Sequence, residues 1–166
     1  MLFRSHLWDH YRFTRDEAFL RKAFPAIWQS AQFWMERMIQ DKVKKDGTFV
    51  APNEYSPEQN DHAREDGTAH AQQLITANLQ IALEAINILG AESLGLSAAD
   101  VAQLKNYVEK TDKGLHIEEY KGDWGDWAKN LGINKGSKLL KEWKYAPYSV
   151  SGDKGHRNMS HLMCLY

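Results

Sequence analysis

Residues 68–90 constrain the fold most, because their apolar side chains recur around most of a helical circumference. Thr68 is predicted to open this helix, which runs to Gly90. A helix with such a pattern is buried on most sides, as is an inner helix of a two-layered helical barrel. It carries two apolar stripes, formed by Leu74, Ala77, Ile81, Ala85 and Ile88 and by Ile75, Leu79, Ala82, Leu83 and Ile86.

The residues before position 40 also predict amphipathic helices. Residues 2–13 carry apolar side chains at helical spacing. Thr14 and Glu17 have the form of a capping box, which would start a short helix through Leu20. Proline is favoured at the first position of a helix, so Pro25 would start a longer helix with one apolar face.

The remaining elements are shorter or more ambiguous. Residues 48–50 predict a short extended piece, and Ser97 would cap a further helix. Residues 116–120 and 139–143 fit either strands or the edges of helices. The predicted fold class is therefore mainly α, with long polar loops between the helices.

Composition excludes several classes of function. The chain has 166 residues, and 21 Lys and Arg against 22 Asp and Glu give a net charge of −1, which exerts no overall attraction for nucleic acid. The sequence contains no apolar run long enough to span a membrane. The single cysteine, Cys164, excludes an intrachain disulfide and a cysteine-cluster metal site.

Two further patterns give no support for a metal or a cofactor. His6 and His10 have the i, i+4 spacing of zinc ligands, but Leu7 stands where a zinc protease helix has its glutamate. Residues 132–138 lack the spacing of a phosphate-binding loop. We therefore expect neither a metal site nor a bound cofactor.

The polar loop over residues 51–67 is the first candidate site. Burial of one of its carboxyl groups in an aromatic cleft would raise that group's pKa, as a general acid of glycosidic bond cleavage requires. The alternative is a solvated acidic loop without catalytic function. The carboxylates of this loop are Glu54, Glu58, Asp61, Glu65 and Asp66.

The second candidate site is the segment 155–162. It concentrates two histidines, an arginine, an asparagine and a serine, which together can hydrogen-bond several hydroxyl groups. Under the alternative interpretation, Asn158 or Ser160 caps a helix and the basic side chains point into solvent.

At these segments the sequence resembles glycoside hydrolase family 95, the α-L-fucosidases. The resemblance rests on Tyr-Ser-Pro-Glu at 55–58, Glu-Asp-Gly-Thr followed by paired glutamines at 65–74, and His-Arg-Asn-Met-Ser-His-Leu at 156–162. The opening stretch 6–14 also looks like the family's helix before the Ser-Pro-Glu loop. The matches occur in the family's order along nearly the whole chain.

The resemblance implies part of an (α/α)6 barrel and inverting hydrolysis of terminal α-L-fucosides on oligosaccharides. Glu58 would be the general acid, and Arg157, Asn158 and His161 would bind the sugar. In this family asparagines backed by an aspartate activate water, and no residues of this chain match them. The family also implies a secreted or periplasmic protein.

The chain departs from the family pattern at one sugar-binding position, because Asn158 replaces the middle histidine of His-Arg-His. The resemblance with this departure therefore also allows activity on α-L-galactosides, whose sugar has one more hydroxyl. Residues 121–154 resemble an insertion, and residues 1–166 are expected to be a catalytic domain truncated at both ends, inactive alone. The alternatives are an inactive sugar-binding relative and an unrelated helical interaction domain.

Overall fold

A computed structural model describes residues 3–56, 64–123, 125–146 and Leu162. The chain divides into two compact units, residues 1–51 with 74–112 and residues 52–73 with 113–166. Helices dominate the described residues, which confirms the mainly α prediction. The helices are α1 (Phe3–Thr14), α2 (Glu17–Arg37), α3 (Ala69–Leu89), α4 (Ala98–Lys110) and α5 (Gly125–Asn130).

The strands are short and form three separate antiparallel pairs, β1 with β2, β3 with β4 and β5 with β6. No helix among the described residues has both the length and the apolar character needed to cross a membrane. The strands are β1 (Ile39–Gln40), β2 (Phe49–Val50), β3 (Glu54–Tyr55), β4 (Arg64–Glu65), β5 (Ile117–Glu119) and β6 (Lys138–Leu140).

The start of α2 differs from the predicted capping box. Asp16, not Thr14, is the N-cap, and its carboxylate accepts a hydrogen bond of 2.9 Å from the Phe19 N–H. The Thr14 hydroxyl instead donates to the carbonyl of His10, at 2.9 Å within α1. Thr14 is therefore the last residue of α1. Asp16, whose side chain can accept a hydrogen bond from the first turn of α2, caps α2 instead.

Pro25 lies inside α2, so the prediction that it starts a new helix is wrong. Proline removes one helical hydrogen bond and costs about 3 kcal/mol inside a helix. Leu20 and Ile27, on either side of it, are fully buried, and Phe24 is nearly so. Burial of each large apolar side chain contributes about 1.5–3 kcal/mol, which offsets the cost of the proline.

Helix α3 confirms the predicted helix over residues 68–90 but is less enclosed than predicted. The stripe that contains Ile75, Leu79 and Ile86 is buried. Ile88, on the other stripe, is 37% exposed, and Ala77 is also exposed. Within the described residues, one of the two stripes is therefore only partly covered.

The first unit also contains the β1–β2 pair, in which Ile39 lies opposite Val50. Phe49 of β2 stacks on Tyr107 of α4, with ring centroids 4.3 Å apart. The predicted extended piece at 48–50 is thus confirmed. The predicted cap at Ser97 is confirmed as well, because its hydroxyl accepts from the Asp100 N–H and the Asp100 carboxylate accepts from the Ser97 N–H.

The Ser97 cap yields a prediction for local stability. Ser97→Ala should weaken the first turn of α4 by about 1 kcal/mol, which corresponds to roughly fivefold faster amide exchange there. The measurement is hydrogen–deuterium exchange of peptides covering residues 97–104 in the full-length protein. Ser97→Thr, which keeps a capping hydroxyl, is the control and should exchange nearly as the original chain does.

The Ser97 hydroxyl and N–H hold the pKa of Asp100 below its ordinary value of 3.8. A lowered pKa in the folded state stabilises the cap above the ordinary value, and this contribution is lost as the pH falls through the lowered pKa. The protection lost in Ser97→Ala should therefore be larger at pH 7 than near pH 3. An equal loss at both pH values would contradict the role of the Asp100 carboxylate.

Candidate active site

The acidic loop is framed by a strand pair at its two ends. Glu54 lies opposite Glu65, and Tyr55 lies opposite Arg64, whose guanidinium carbon is 5.5 Å from the tyrosine ring centroid. The Asp66 carboxylate accepts a 2.8 Å hydrogen bond from the Asn53 N–H just outside this pair. Strands β3 and β4 therefore occupy part of the stretch 51–67 that was predicted to be a loop.

The start of the loop is held by Glu142. Ser56 is fully buried, and its hydroxyl donates to Oε1 of Glu142 at 2.5 Å. The backbone carbonyl of Glu142 accepts from the N–H of Ala69 at 2.9 Å, where α3 begins. One residue therefore contacts both the start of the acidic loop and the start of the helix that follows it.

The end of the loop is held by Glu65. Its two carboxylate oxygens accept from the N–H groups of Tyr145 and Ala146, at 2.7 and 2.9 Å. Hydrogen bonds to an ionised acceptor are about twice as strong as those between neutral groups. Glu65 and Asp66 therefore both accept hydrogen bonds from backbone N–H groups.

The segment 141–146 is itself anchored by strand pairing. Strand β6 pairs with β5, and the Lys141 N–H donates to the carbonyl of His116 at 2.7 Å. The Lys141 ammonium lies 3.7 Å from the Glu118 carboxylate. Residues 116–120 and 139–143, which fitted either strands or helix edges, therefore contain strands β5 and β6.

The paired glutamines lie in the first turns of α3, where both are buried. The Gln73 side-chain amide donates to the carbonyl of Gly114 at 2.8 Å. Gly114 has a φ of +68°, and a Cβ placed on it would lie 2.6 Å from the carbonyl oxygen of Ala69. The backbone at Gly114 therefore fits against the start of α3 only because it carries no side chain.

Buried polar atoms without a hydrogen-bond partner among the described residues occur at Thr68 and Trp143 of the second unit. They are the hydroxyl of Thr68, which is fully buried, and the indole N–H of Trp143, whose residue is 2% exposed. Leaving such a group unsatisfied costs about 1–3 kcal/mol.

The predicted site residues Glu58, Arg157, Asn158 and His161 lie outside the described residues. The structure describes residues that flank them along the chain. Glu58 follows Ser56 by two positions, and the segment that carries the other three follows Ala146.

The sequence patterns did not indicate Glu142, which contacts Ser56 and Ala69. It gave no separate signal, because a lone glutamate before a tryptophan has no pattern that connects it to position 56.

The two histidines of α1, His6 and His10, have different surroundings. The His10 ring lies against Phe19, with centroids 4.1 Å apart, and His6 is exposed. In the described ranges, no group of three or more His, Cys, Asp or Glu side chains is arranged to hold a metal ion.

Comparison with known proteins identifies the family. The model of the glycosyl hydrolase family 95 catalytic domain matches residues 2–166. The chain therefore belongs to this family, which confirms the resemblance carried by its motifs.

A relative described as probable alpha-fucosidase A, from Aspergillus niger, is 29% identical over 164 residues. The matched region covers 97% of this chain and 18% of that relative. The chain thus spans less than a fifth of the length of the curated relative that it matches.

The close approach at Gly114 yields a prediction. Gly114→Ala should destabilise the full-length protein and lower its activity, because the added methyl would displace the start of α3. Gly132→Ala is the matched control, since Gly132 also has a positive φ, of +70°, but nothing lies within 4 Å of an added Cβ. Both changes incur about 1–2 kcal/mol of backbone strain.

The two variants are compared by thermal unfolding and by activity. Gly114→Ala should melt at a lower temperature than Gly132→Ala, by more than the error of the measurement. Equal melting temperatures would show that the contact with Ala69 does not constrain the backbone.

Proposed function

We propose that the protein containing this chain is an exo-glycosidase that hydrolyses terminal α-L-fucosides on oligosaccharides with inversion. Family membership supports hydrolysis of a glycoside, and the name of the Aspergillus relative supports the fucoside. The geometry that carries the proposal is the double anchorage of the Ser-Pro-Glu loop by residues 142–146. This anchorage suits a loop that must hold a general acid in place.

In the proposed reaction Glu58 donates its proton to the glycosidic oxygen as the bond from that oxygen to the anomeric carbon breaks. A water molecule attacks the anomeric carbon from the opposite face and gives its proton to a base. The products are the free alcohol and the sugar with inverted configuration. By the resemblance, asparagines backed by an aspartate activate the water, and they have no match in this chain.

Glu58 must hold a proton at neutral pH to act as an acid. Negative charges nearby and burial both disfavour ionisation of a carboxyl group, so they raise its pKa. Glu65 and Asp66 supply carboxylates in the same short stretch, each fixed by backbone N–H groups. Carboxylates that flank Glu58 in sequence and are fixed by the backbone are therefore a suitable setting for a general acid.

Arg157, Asn158 and His161 would bind the hydroxyl groups of the sugar. Arginine contributes a fixed set of donors, whereas asparagine and histidine can each donate and accept.

We further propose that the helices belong to an (α/α)6 barrel completed by other parts of a longer protein, consistent with the partly covered stripe of α3. The fucosidase family implies export from the cytoplasm.

The general-acid assignment predicts the effect of Glu58→Gln. The variant should lose about 10²–10⁴-fold in kcat on a fucosylated oligosaccharide, because glutamine cannot supply the proton. The measurement is release of L-fucose by the full-length protein. Glu119→Gln is the control, since Glu119 is an exposed residue of β5, and its activity should match the original.

Retention of full activity by Glu58→Gln would refute the assignment. If the unaltered protein binds L-fucose without cleaving any α-L-fucoside or α-L-galactoside, the protein is an inactive sugar-binding relative. Absence of both binding and cleavage would favour a helical interaction domain.

Asn158 yields a prediction about the sugar. Asparagine is shorter than histidine and cannot carry a charge, so it leaves room for a further hydroxyl group. Asn158→His should therefore lower kcat/KM for an α-L-galactoside relative to the matching α-L-fucoside, by about 10-fold. The measurement compares both substrates on one preparation, and an unchanged ratio would show that position 158 does not select the sugar.

A further inference from the structure

We propose that Glu142 and Glu65 are positioning residues, which set the location of the Glu58 carboxyl by fixing the two ends of its loop. This inference rests on the proposed function, because it concerns the placement of the general acid. Glu142 and Glu65 act through the loop backbone and take no part in proton transfer.

The contacts lie on both sides of the loop. Ser56, two positions before Glu58, is held through its hydroxyl by the Glu142 carboxylate. Glu65, in the strand that receives the chain after the loop, is held by the N–H groups of Tyr145 and Ala146. Both contacts are made by the segment 142–146, so the two ends of the loop are fixed relative to each other.

The hydrogen bond of Ser56 is the more sensitive of the two anchors. Ser56 is fully buried, so its hydroxyl has no access to water as an alternative acceptor. Removing the Glu142 carboxylate leaves this hydroxyl without that acceptor, and the start of the loop would shift to find another partner. A shift of about 1 Å in a catalytic group lowers the rate by roughly 10²-fold.

Glu142 also makes a second contact, through its backbone. The Glu142 carbonyl receives the Ala69 N–H at the start of α3, independently of its side chain. Substituting the Glu142 side chain therefore releases Ser56 while the backbone contact with α3 is retained. The positioning role can therefore be tested while the contact between Glu142 and Ala69 is kept.

The test compares two substrates in the full-length protein. An aryl α-L-fucoside with an acidic leaving group needs little protonation, whereas a fucosylated oligosaccharide requires a general acid. Misplacement of Glu58 should therefore lower kcat for the oligosaccharide far more than kcat for the aryl fucoside. The ratio of the two rates on one preparation does not depend on the fraction of folded protein.

We expect Glu142→Ala to lower this ratio of oligosaccharide to aryl fucoside turnover by about 10–100-fold. Ser56→Ala removes the same hydrogen bond by a smaller change, so it should shift the ratio in the same direction even if Glu142→Ala fails to fold. Glu142→Gln should recover most of the ratio, because its amide oxygen can still accept from Ser56. Glu65→Gln, which loses one acceptor oxygen, should lower the ratio less than Glu142→Ala.

Glu119→Ala is the matched control, since it removes an exposed glutamate from β5 in the same unit and should leave the ratio unchanged. The inference is overturned if Glu58→Gln lowers the ratio while Ser56→Ala and the Glu142 variants leave it unchanged. If Glu58→Gln itself leaves the ratio unchanged, the proposed function fails instead.

Discussion

The hydrogen bonds of Glu65 and Ser56 with residues 142–146 are the contacts that fix the two ends of the acidic loop. They join positions separated by 80 and 86 residues along the chain. A buried serine and a glutamate that binds two backbone N–H groups can be satisfied only when those segments lie together. Their pairing brings Ser56 and Glu65, which flank the acidic stretch, to the segment 142–146.

The helices were predictable because apolar spacing of 3.6 residues is a local property of the sequence. Helix α3 and the Ser97 cap agree with that reasoning. Pro25 and the start of α2 do not, because burial of residues such as Leu20 and Ile27 continues the helix through the proline. Such burial depends on tertiary packing, which local preferences do not contain.

For the candidate site, the sequence predicted the segments that carry the motifs but not the contacts between them. The resemblance selected the loop of Glu58 and the stretch 156–162 by residue order, and the family match confirms the resemblance. Strands β3 and β4 were missed because two residues are too few to show alternation. The contact of Glu142 with Ser56 was not predictable, because it is long-range and leaves no periodic signal.

We propose that Glu58 protonates the glycosidic oxygen of a sugar bound by the stretch 156–162. The most direct test is a crystal structure of the full-length Glu58→Gln variant with a fucosylated oligosaccharide bound. We expect the side-chain amide of residue 58 about 3 Å from the glycosidic oxygen, with Arg157 and His161 contacting the same sugar ring. A sugar bound away from the Ser-Pro-Glu loop, or a different carboxyl group beside the glycosidic oxygen, would contradict the account.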